Sequence, residues 1–148
     1  AVLMLQKELA RRLTATPGSK DYGRPTAMLR YCAEVVLLAG VKPDLFYPRP
    51  QVSSEVIEIK FKNKFLLKPW EETLLFDIIK AAFGKRRKTL KNALMNQNLG
   101  LAPDICEAAL KNAGTDVRAR AETLDARDYV DICKHYIMIK EKQETDGS

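Results

Sequence analysis

The spacing of apolar and polar residues divides the chain into two parts. In the first part, apolar runs at 1–5 and 34–40 and a strictly alternating run at 55–61 predict three strands. The first run is apolar at every position, which is typical of a strand buried on both faces of a parallel sheet. The third run predicts a half-exposed antiparallel strand, because every second position is polar.

Helical spacing separates these strands and indicates an α/β arrangement. A helix is predicted over residues 6–13, where leucines recur at every fourth position. A second helix is predicted to begin at Pro25, because proline fits the first turn of a helix. The residues that it is predicted to direct inward are Met28, Leu29 and Cys32.

Beyond Trp70 the spacing becomes helical. Residues 71–83 carry apolar side chains three and four positions apart, and further helices are predicted at 87–95, at 103–112 and after Asp125. The second part is therefore predicted to be a small all-helical domain.

These patterns place a domain boundary between residues 66 and 67. We expect an α/β part at 1–66, a helical domain at 67–140 and a disordered polar tail at 141–148. The chain opens without Met inside the apolar run 1–5, so we expect a fragment of a longer protein. An exposed sheet edge at 1–5 would favour self-association, because unpaired strand edges template pairing.

Composition narrows the classes of partner. The net charge of +6 and the pI near 9.3 favour a polyanionic partner. Three cysteines, odd in number and far apart, argue against a disulfide framework and a zinc site, and favour a reducing compartment. No apolar run approaches the roughly 20 residues of a membrane span. We therefore expect a cytoplasmic protein with neither a membrane nor a metal as partner.

A dense group of positive charges follows the helix at 71–83. Five cations occur within seven residues, without a carboxylate, and they are Lys85, Arg86, Arg87, Lys88 and Lys91. Such a cluster favours contact with RNA phosphates, and the ordinary alternative is a solvated surface.

Two alternatives stay open for individual arginines. On a helix that begins near Arg86 the cations cannot all share one face, and Arg86 or Arg87 could instead pair with Glu122. Arg24 could contact phosphate or make a structural hydrogen bond to a neighbouring loop.

Four segments, taken in order, carry a more specific pattern. They are residues 2–8 with 17–19 and 22–24, residues 46–54, residues 83–94 and residues 120–124. Together they resemble the carboxyl-terminal part of the ribosomal RNA adenine dimethyltransferases, over about residues 1–139. The second segment has that family's F-x-P-x-P-x-V-x-S pattern.

The resemblance implies a fold, a reaction and roles for individual residues. It implies the last part of a Rossmann-like class I methyltransferase sheet joined to a helical RNA-binding domain. The parent enzyme would transfer methyl groups from S-adenosylmethionine to two adjacent adenines of small-subunit rRNA late in ribosome assembly. By resemblance Phe46, with Tyr47 beside it, stacks on the target base, and Pro48 and Pro50 stiffen the loop.

Two of the family's motifs are missing from this sequence. No closely spaced pair of glycines could form the loop that cradles S-adenosylmethionine, and the Asn-Leu-Pro-Tyr type tetrapeptide is not found. We therefore expect no catalytic residues in this chain, no bound S-adenosylmethionine and no activity of the chain alone.

Several other functions share parts of this pattern. One is a large-subunit rRNA resistance methylase, and another is a nonenzymatic RNA-binding or assembly module, such as a mitochondrial transcription-factor relative, which would place the protein in mitochondria. A helix-turn-helix DNA binder at 86–114 would instead predict tight binding to duplex DNA.

Overall fold

The computed structural model describes residues 1–85 and 87–147. Contacts between residues divide the chain into two compact units, Ala1–Phe65 and Leu66–Ser148. We call them the sheet unit and the helical unit. The division lies one residue before the boundary that the sequence predicts.

The sheet unit contains three strands and two helices. In chain order they are β1 (Val2–Gln6), α1 (Lys7–Thr14), α2 (Arg24–Cys32), β2 (Ala33–Val41) and β3 (Ser54–Phe61). The strand order in the sheet is β1-β3-β2, and β3 pairs antiparallel with both neighbours. The prediction of an antiparallel third strand is confirmed, and β1 and β2 consequently run in the same direction.

The burial predicted for the first strand is wrong. Val2 is 60% exposed and Leu3 is 42% exposed, and because neighbouring side chains of a strand project from opposite faces, neither face of β1 is fully covered here. The unit's core lies between the helices and the sheet, where Ala10, Ile57 and Ile59 are buried and Leu5 packs against them. In this unit, β1 also has a single sheet neighbour, and that neighbour is antiparallel rather than parallel.

The face that the second helix buries agrees only in part with the predicted one. Leu29 packs against the core as predicted, but the fully buried residues are Thr26, Ala27 and Tyr31, and Met28 and Cys32 are half-buried. The cause is the Thr26 hydroxyl, which donates to the Arg12 carbonyl oxygen at 2.6 Å. This bond ties the start of α2 to the end of α1 and turns a small polar side chain inward.

The described residues of the helical unit form four α-helices. They are α3 (Pro69–Phe83), α4 (Leu90–Met95), α5 (Pro103–Asn112) and α6 (Ala126–Asp146). Fully buried side chains from all four make up its core, including Leu75, Ile79, Leu90, Leu94, Leu110 and Tyr129. The first and third of these helices begin and end close to the predicted positions.

The other two helices differ from the sequence-based expectation. Helix α4 begins at Leu90 rather than at Arg87, because Thr89 caps it by accepting a hydrogen bond from the Asn92 N–H at 3.3 Å. Helix α6 continues to Asp146, where a disordered tail is expected from residue 141. The segment 141–144 consists of strong helix formers, so the helix propagates without needing a buried face.

Candidate nucleic-acid interface

The aromatic and proline-rich segment connects β2 to β3 and is held at both ends. A 3₁₀ turn at Pro43–Leu45 opens it, and the Phe46 N–H donates to the Pro43 carbonyl oxygen at 3.2 Å. At the other end, the Lys7 N–H at the start of α1 donates to the Ser53 carbonyl oxygen at 3.0 Å. We call residues 46–53 the aromatic loop.

The two aromatic rings of this loop differ in exposure. The Tyr47 side chain is fully exposed, with a relative exposure of 101%, whereas Phe46 is half-buried. Pro48 is exposed and Pro50 is half-buried. The loop therefore presents the Tyr47 ring to solvent on a stiff, proline-rich backbone, which suits stacking against an unpaired base.

The basic segment lies between α3 and α4, and the helical core fixes both of its ends. Phe83, the last residue of α3, has its ring 6.2 Å from the ring of Tyr129. Beyond the segment, the N–H of Leu90 donates to the Ala119 carbonyl oxygen at 2.7 Å. We call residues 84–88 the basic loop.

Lys85, Arg87 and Lys88 are exposed, and none of them has an ion-pair partner among the described residues. They precede α4 instead of lying along it, so helical geometry does not force them onto different faces. Arg86 lies outside the described residues. Uncompensated cations on a loop with fixed ends form a surface that attracts phosphates.

Lys91 differs from the other predicted cations. Its ammonium group lies 3.1 Å from a carboxylate oxygen of Glu107, which is also 3.7 Å from the ammonium group of Lys111. The hydrogen bond and charge of Lys91, supported by Lys111, lower the pKa of Glu107 below its usual 4.5. Lys91 therefore links α4 to α5, and part of its charge is already compensated.

The segment 120–124 is anchored to the helical core by a hydrogen bond to its backbone. Ala121–Thr123 forms a 3₁₀ turn, and the Tyr129 hydroxyl donates to the Ala121 carbonyl oxygen at 2.7 Å. Within the described part of the chain, Glu122 makes no ion pair with Arg87. The alternative that Glu122 pairs with an arginine of the basic loop is therefore not observed for Arg87, and the pairing with Arg86 lies outside the described residues.

Arg24 is the first residue of α2, and its side chain is exposed. The structural hydrogen bond that the sequence left open is not observed for this side chain among residues 1–85 and 87–147. A phosphate contact remains the hypothesis for Arg24.

The two cysteines of the helical unit, Cys106 and Cys133, are poor nucleophiles near neutral pH. Burial raises the pKa of Cys106 to about 11 and that of Cys133 to about 12, so both stay protonated near neutral pH. Within the described ranges, no group of three or more His, Cys, Asp or Glu side chains is arranged to hold a metal ion. None of the described helices combines the length and the apolar character that crossing a membrane requires.

Comparison with known sequences agrees with the four motifs. The family described as Ribosomal RNA adenine dimethylase matches residues 1–138. The chain is 44% identical over 129 residues to Ribosomal RNA small subunit methyltransferase A of Desulforapulum autotrophicum, covering 87% of this chain and 45% of that protein. Identity to the protein of the same name from Alkaliphilus metalliredigens is 40%, covering 90% of this chain and 46% of the relative. The chain thus spans about half the length of these curated relatives.

Solved structures show the same fold. A dimethyladenosine transferase from Plasmodium falciparum superposes with a TM-score of 0.78 at 22% identity, covering 93% of this chain and 57% of that chain. The 23S rRNA methyltransferase ErmE superposes with a TM-score of 0.66, also at 22% identity, covering 93% of this chain and 54% of its own. The chain therefore has the fold of part of a Rossmann-like methyltransferase together with a helical unit.

Proposed function

Because the chain belongs to the ribosomal RNA adenine dimethylase family, we propose that it is the RNA-docking and base-holding part of a small-subunit rRNA adenine dimethyltransferase. The parent enzyme would transfer methyl groups from S-adenosylmethionine to two adjacent adenines of small-subunit rRNA during ribosome assembly in the cytoplasm. The relatives named for the small subunit support this substrate over large-subunit rRNA. The likeness to ErmE, at 22% identity, concerns the fold alone.

We infer that the described residues of this chain do not supply the site for S-adenosylmethionine. A cradle for its charged groups needs closely spaced glycines after a strand. The glycines with positive φ here, Gly18, Gly100 and Gly114, instead lie singly in turns that follow helices. We accordingly assign no step of methyl transfer to residues of this chain.

The observation that carries the proposal is the exposed, uncompensated basic loop, fixed at both ends on a closed helical core. Lys85, Arg87 and Lys88 would neutralise backbone phosphates and so position the RNA without reading its sequence. Arg86 and Arg24 would add further phosphate contacts, whereas Lys91 would contribute mainly by holding α4 against α5.

The aromatic loop would hold the target base. Methylation of the exocyclic amine of an adenine requires that the base leave its stack. The rings of Phe46 and Tyr47 would take the place of the lost stacking, which is worth roughly 1–3 kcal/mol per base. Pro48 and Pro50 would lower the entropy cost of holding the loop in one conformation.

Binding to three ligands tests the proposal. We expect this chain to bind immature small ribosomal subunits more tightly than duplex DNA across a salt series, and to give no heat with S-adenosylmethionine in calorimetry. Equal affinity for small ribosomal subunits and for duplex DNA would show that the chain has only a nonspecific basic surface, and would contradict the proposed docking on rRNA. Measurable heat with S-adenosylmethionine would contradict the conclusion that the chain lacks a cofactor site.

A further inference from the structure

A second charged feature lies in the sheet unit, and its cations are not among those that the sequence predicts to bind RNA. A cleft of about 560 Å³ opens where β1 ends and α1 begins. The first turns of α1 form one side, the loop at Lys20 and Asp21 forms another, and Val52 and Ser53 at the end of the aromatic loop form the third. In α/β folds, ligands bind at the carboxyl ends of strands, and this cleft lies at that end of β1.

The cleft is lined by more cations than carboxylates. Lys7, Arg11 and Lys20 face two acids, Glu8 and Asp21. Glu8 also pairs with Arg12 at 3.8 Å, a residue that does not line the cleft, so part of its charge is already compensated. This excess of positive charge in the cleft favours an anionic ligand.

Arg11 makes an ion pair with Glu55, a buried acid of β3. Its Nε atom lies 3.9 Å from Oε1 of Glu55, a side chain on β3 that is only 10% exposed. The Arg11 side chain itself is 58% exposed, and its terminal amino groups have no hydrogen-bond partner among the described residues. At 3.9 Å this contact is an ion pair rather than a hydrogen bond, and it leaves the terminal amino groups of Arg11 available for a phosphate, whose oxygens match the planar guanidinium.

Lys20 is also carried on a fixed piece of backbone. The Ser19 N–H donates to the Thr16 carbonyl oxygen at 3.1 Å, and the Tyr22 N–H donates to the Ser19 carbonyl oxygen at 3.3 Å. Tyr22 is buried, so the loop is anchored on the side opposite Lys20 and Asp21. A lysine on an anchored loop loses less conformational entropy on binding than one on a mobile loop.

We infer that this cleft binds a phosphodiester of the RNA strand that carries the target adenine, immediately beside that adenine. The inference rests on the proposed function and names the part of the substrate that the cleft takes. A base that leaves its stack keeps its phosphates attached, so a cleft whose wall is the end of the aromatic loop receives the backbone next to the base held there. Lys7, Arg11 and Lys20 are the positioning residues for that phosphate.

The test pairs a protein change with a matching RNA change. The protein variant carries Lys7→Gln and Lys20→Gln, and the control carries Lys42→Gln and Lys64→Gln, two exposed lysines of the same unit that do not line the cleft. Arg11 is left unchanged, because its replacement would leave the buried Glu55 without an ion-pair partner. The probe is a small-subunit rRNA hairpin with adjacent adenines, bearing one neutral methylphosphonate linkage at each position in turn.

We expect the cleft variant to reduce the slope of log Kd against log salt by about 1 in total, because both lysines neutralise the same phosphate. We expect its loss of affinity to disappear when the neutral linkage lies next to a target adenine, and to persist when the linkage lies elsewhere. The control variant is expected to bind every probe as the unsubstituted chain does. Unchanged far-UV circular dichroism shows that the variants are folded.

The outcomes separate the two proposals. If the cleft variant loses the same affinity on every probe, or loses none, the inference is overturned while the RNA-docking function stands. If the unsubstituted chain binds the hairpin no better than duplex DNA, the proposed function and the inference fail together.

Discussion

The two units of the molecule bury their apolar residues very differently. In the helical unit, each helix contributes buried side chains to one closed core that includes Leu75, Leu94, Leu110 and Tyr129. In the sheet unit, Val2, Leu3 and Met4 of β1 and Val36, Leu37 and Leu38 of β2 are exposed. The apolar face of an amphipathic helix is buried when the helix packs against its neighbours in the same unit. An apolar strand has two faces, and it is fully buried only if another element covers each of them.

The same contrast applies to the two loops that we assign to RNA. The basic loop is fixed at both ends by the closed helical core, through Phe83 and Leu90. The aromatic loop is anchored by a short turn and by one hydrogen bond between Lys7 and Ser53. We therefore expect phosphate docking to depend on the stability of the helical unit, and base holding to depend on the local chemistry of residues 46–53.

The largest expected effect is a difference in stability between replacing a buried leucine of the helical unit and replacing an exposed leucine of the sheet unit. Leu94→Ala removes a fully buried side chain of α4, and it should lower the free energy of unfolding of the helical unit by about 2–5 kcal/mol. Leu38→Ala, at a half-exposed position of β2, should change the free energy of unfolding of the sheet unit by less than about 0.5 kcal/mol. Urea unfolding followed by circular dichroism measures both, and equal losses would contradict the contrast between the units.

A second prediction concerns the aromatic loop. Phe46→Ala and Tyr47→Ala should each weaken binding of an RNA with an unpaired target adenine, by about 1–3 kcal/mol where the lost ring stacks on the base. Phe46→Tyr and Tyr47→Phe keep a ring and are the matched controls. Fluorescence of 2-aminopurine at the target position reports stacking directly, and unchanged quenching in both alanine variants would remove the base-holding role of this loop.

A third prediction tests the cap that sets the start of α4. Thr89→Ala removes the acceptor for the Asn92 N–H, and it should destabilise the helical unit by about 1 kcal/mol. Thr73→Ala is the control, since Thr73 lies within α3 and its hydroxyl makes only a 3.5 Å contact with the Pro69 carbonyl oxygen. If the free energy of unfolding falls equally in the two variants, the Thr89 cap does not set the start of α4, and it does not define the end of the basic loop.

The smallest expected effect is the pH dependence of the Lys91–Glu107 pair. Since the folded state lowers the pKa of Glu107 below 4.5, the stability that this group contributes is present above pH 4.5 and is lost as pH falls through the lowered value. Lys91→Met should return the pKa toward 4.5, and Lys134→Met on α6 should leave it unchanged. An NMR titration of the Glu107 carboxyl carbon distinguishes the two results.

Periodicity predicted most elements because it records which faces of a segment are apolar. The helix Pro103–Asn112 and the alternating strand ending at Phe61 follow directly from spacing and proline position. The true start of α4 depended on a single hydroxyl, that of Thr89, within a run of cations that looked helical. The buried face of α2 depended on a long-range bond from Thr26 to Arg12, which no local pattern encodes.

The candidate sites were predictable to different extents for a related reason. The basic loop was predictable because a run of cations without a neighbouring acid can be read directly from the sequence. The partner of Lys91 was not visible, since Glu107 lies sixteen positions away on another helix. The cleft beside the aromatic loop was missed because Lys7, Arg11 and Lys20 are scattered among acids along the chain, and only folding brings them to one opening.

The most direct test of the account is the salt dependence of RNA binding by two triple variants of the helical unit. One carries Lys85→Ala, Arg87→Ala and Lys88→Ala, and the other carries Lys134→Ala, Lys140→Ala and Lys142→Ala, three exposed lysines of α6. We expect the slope of log Kd against log salt for the small-subunit hairpin to fall by about 2–3 in the first variant and to remain nearly unchanged in the second. Equal losses in both variants would show that affinity follows total charge, and would contradict a docking role specific to the basic loop.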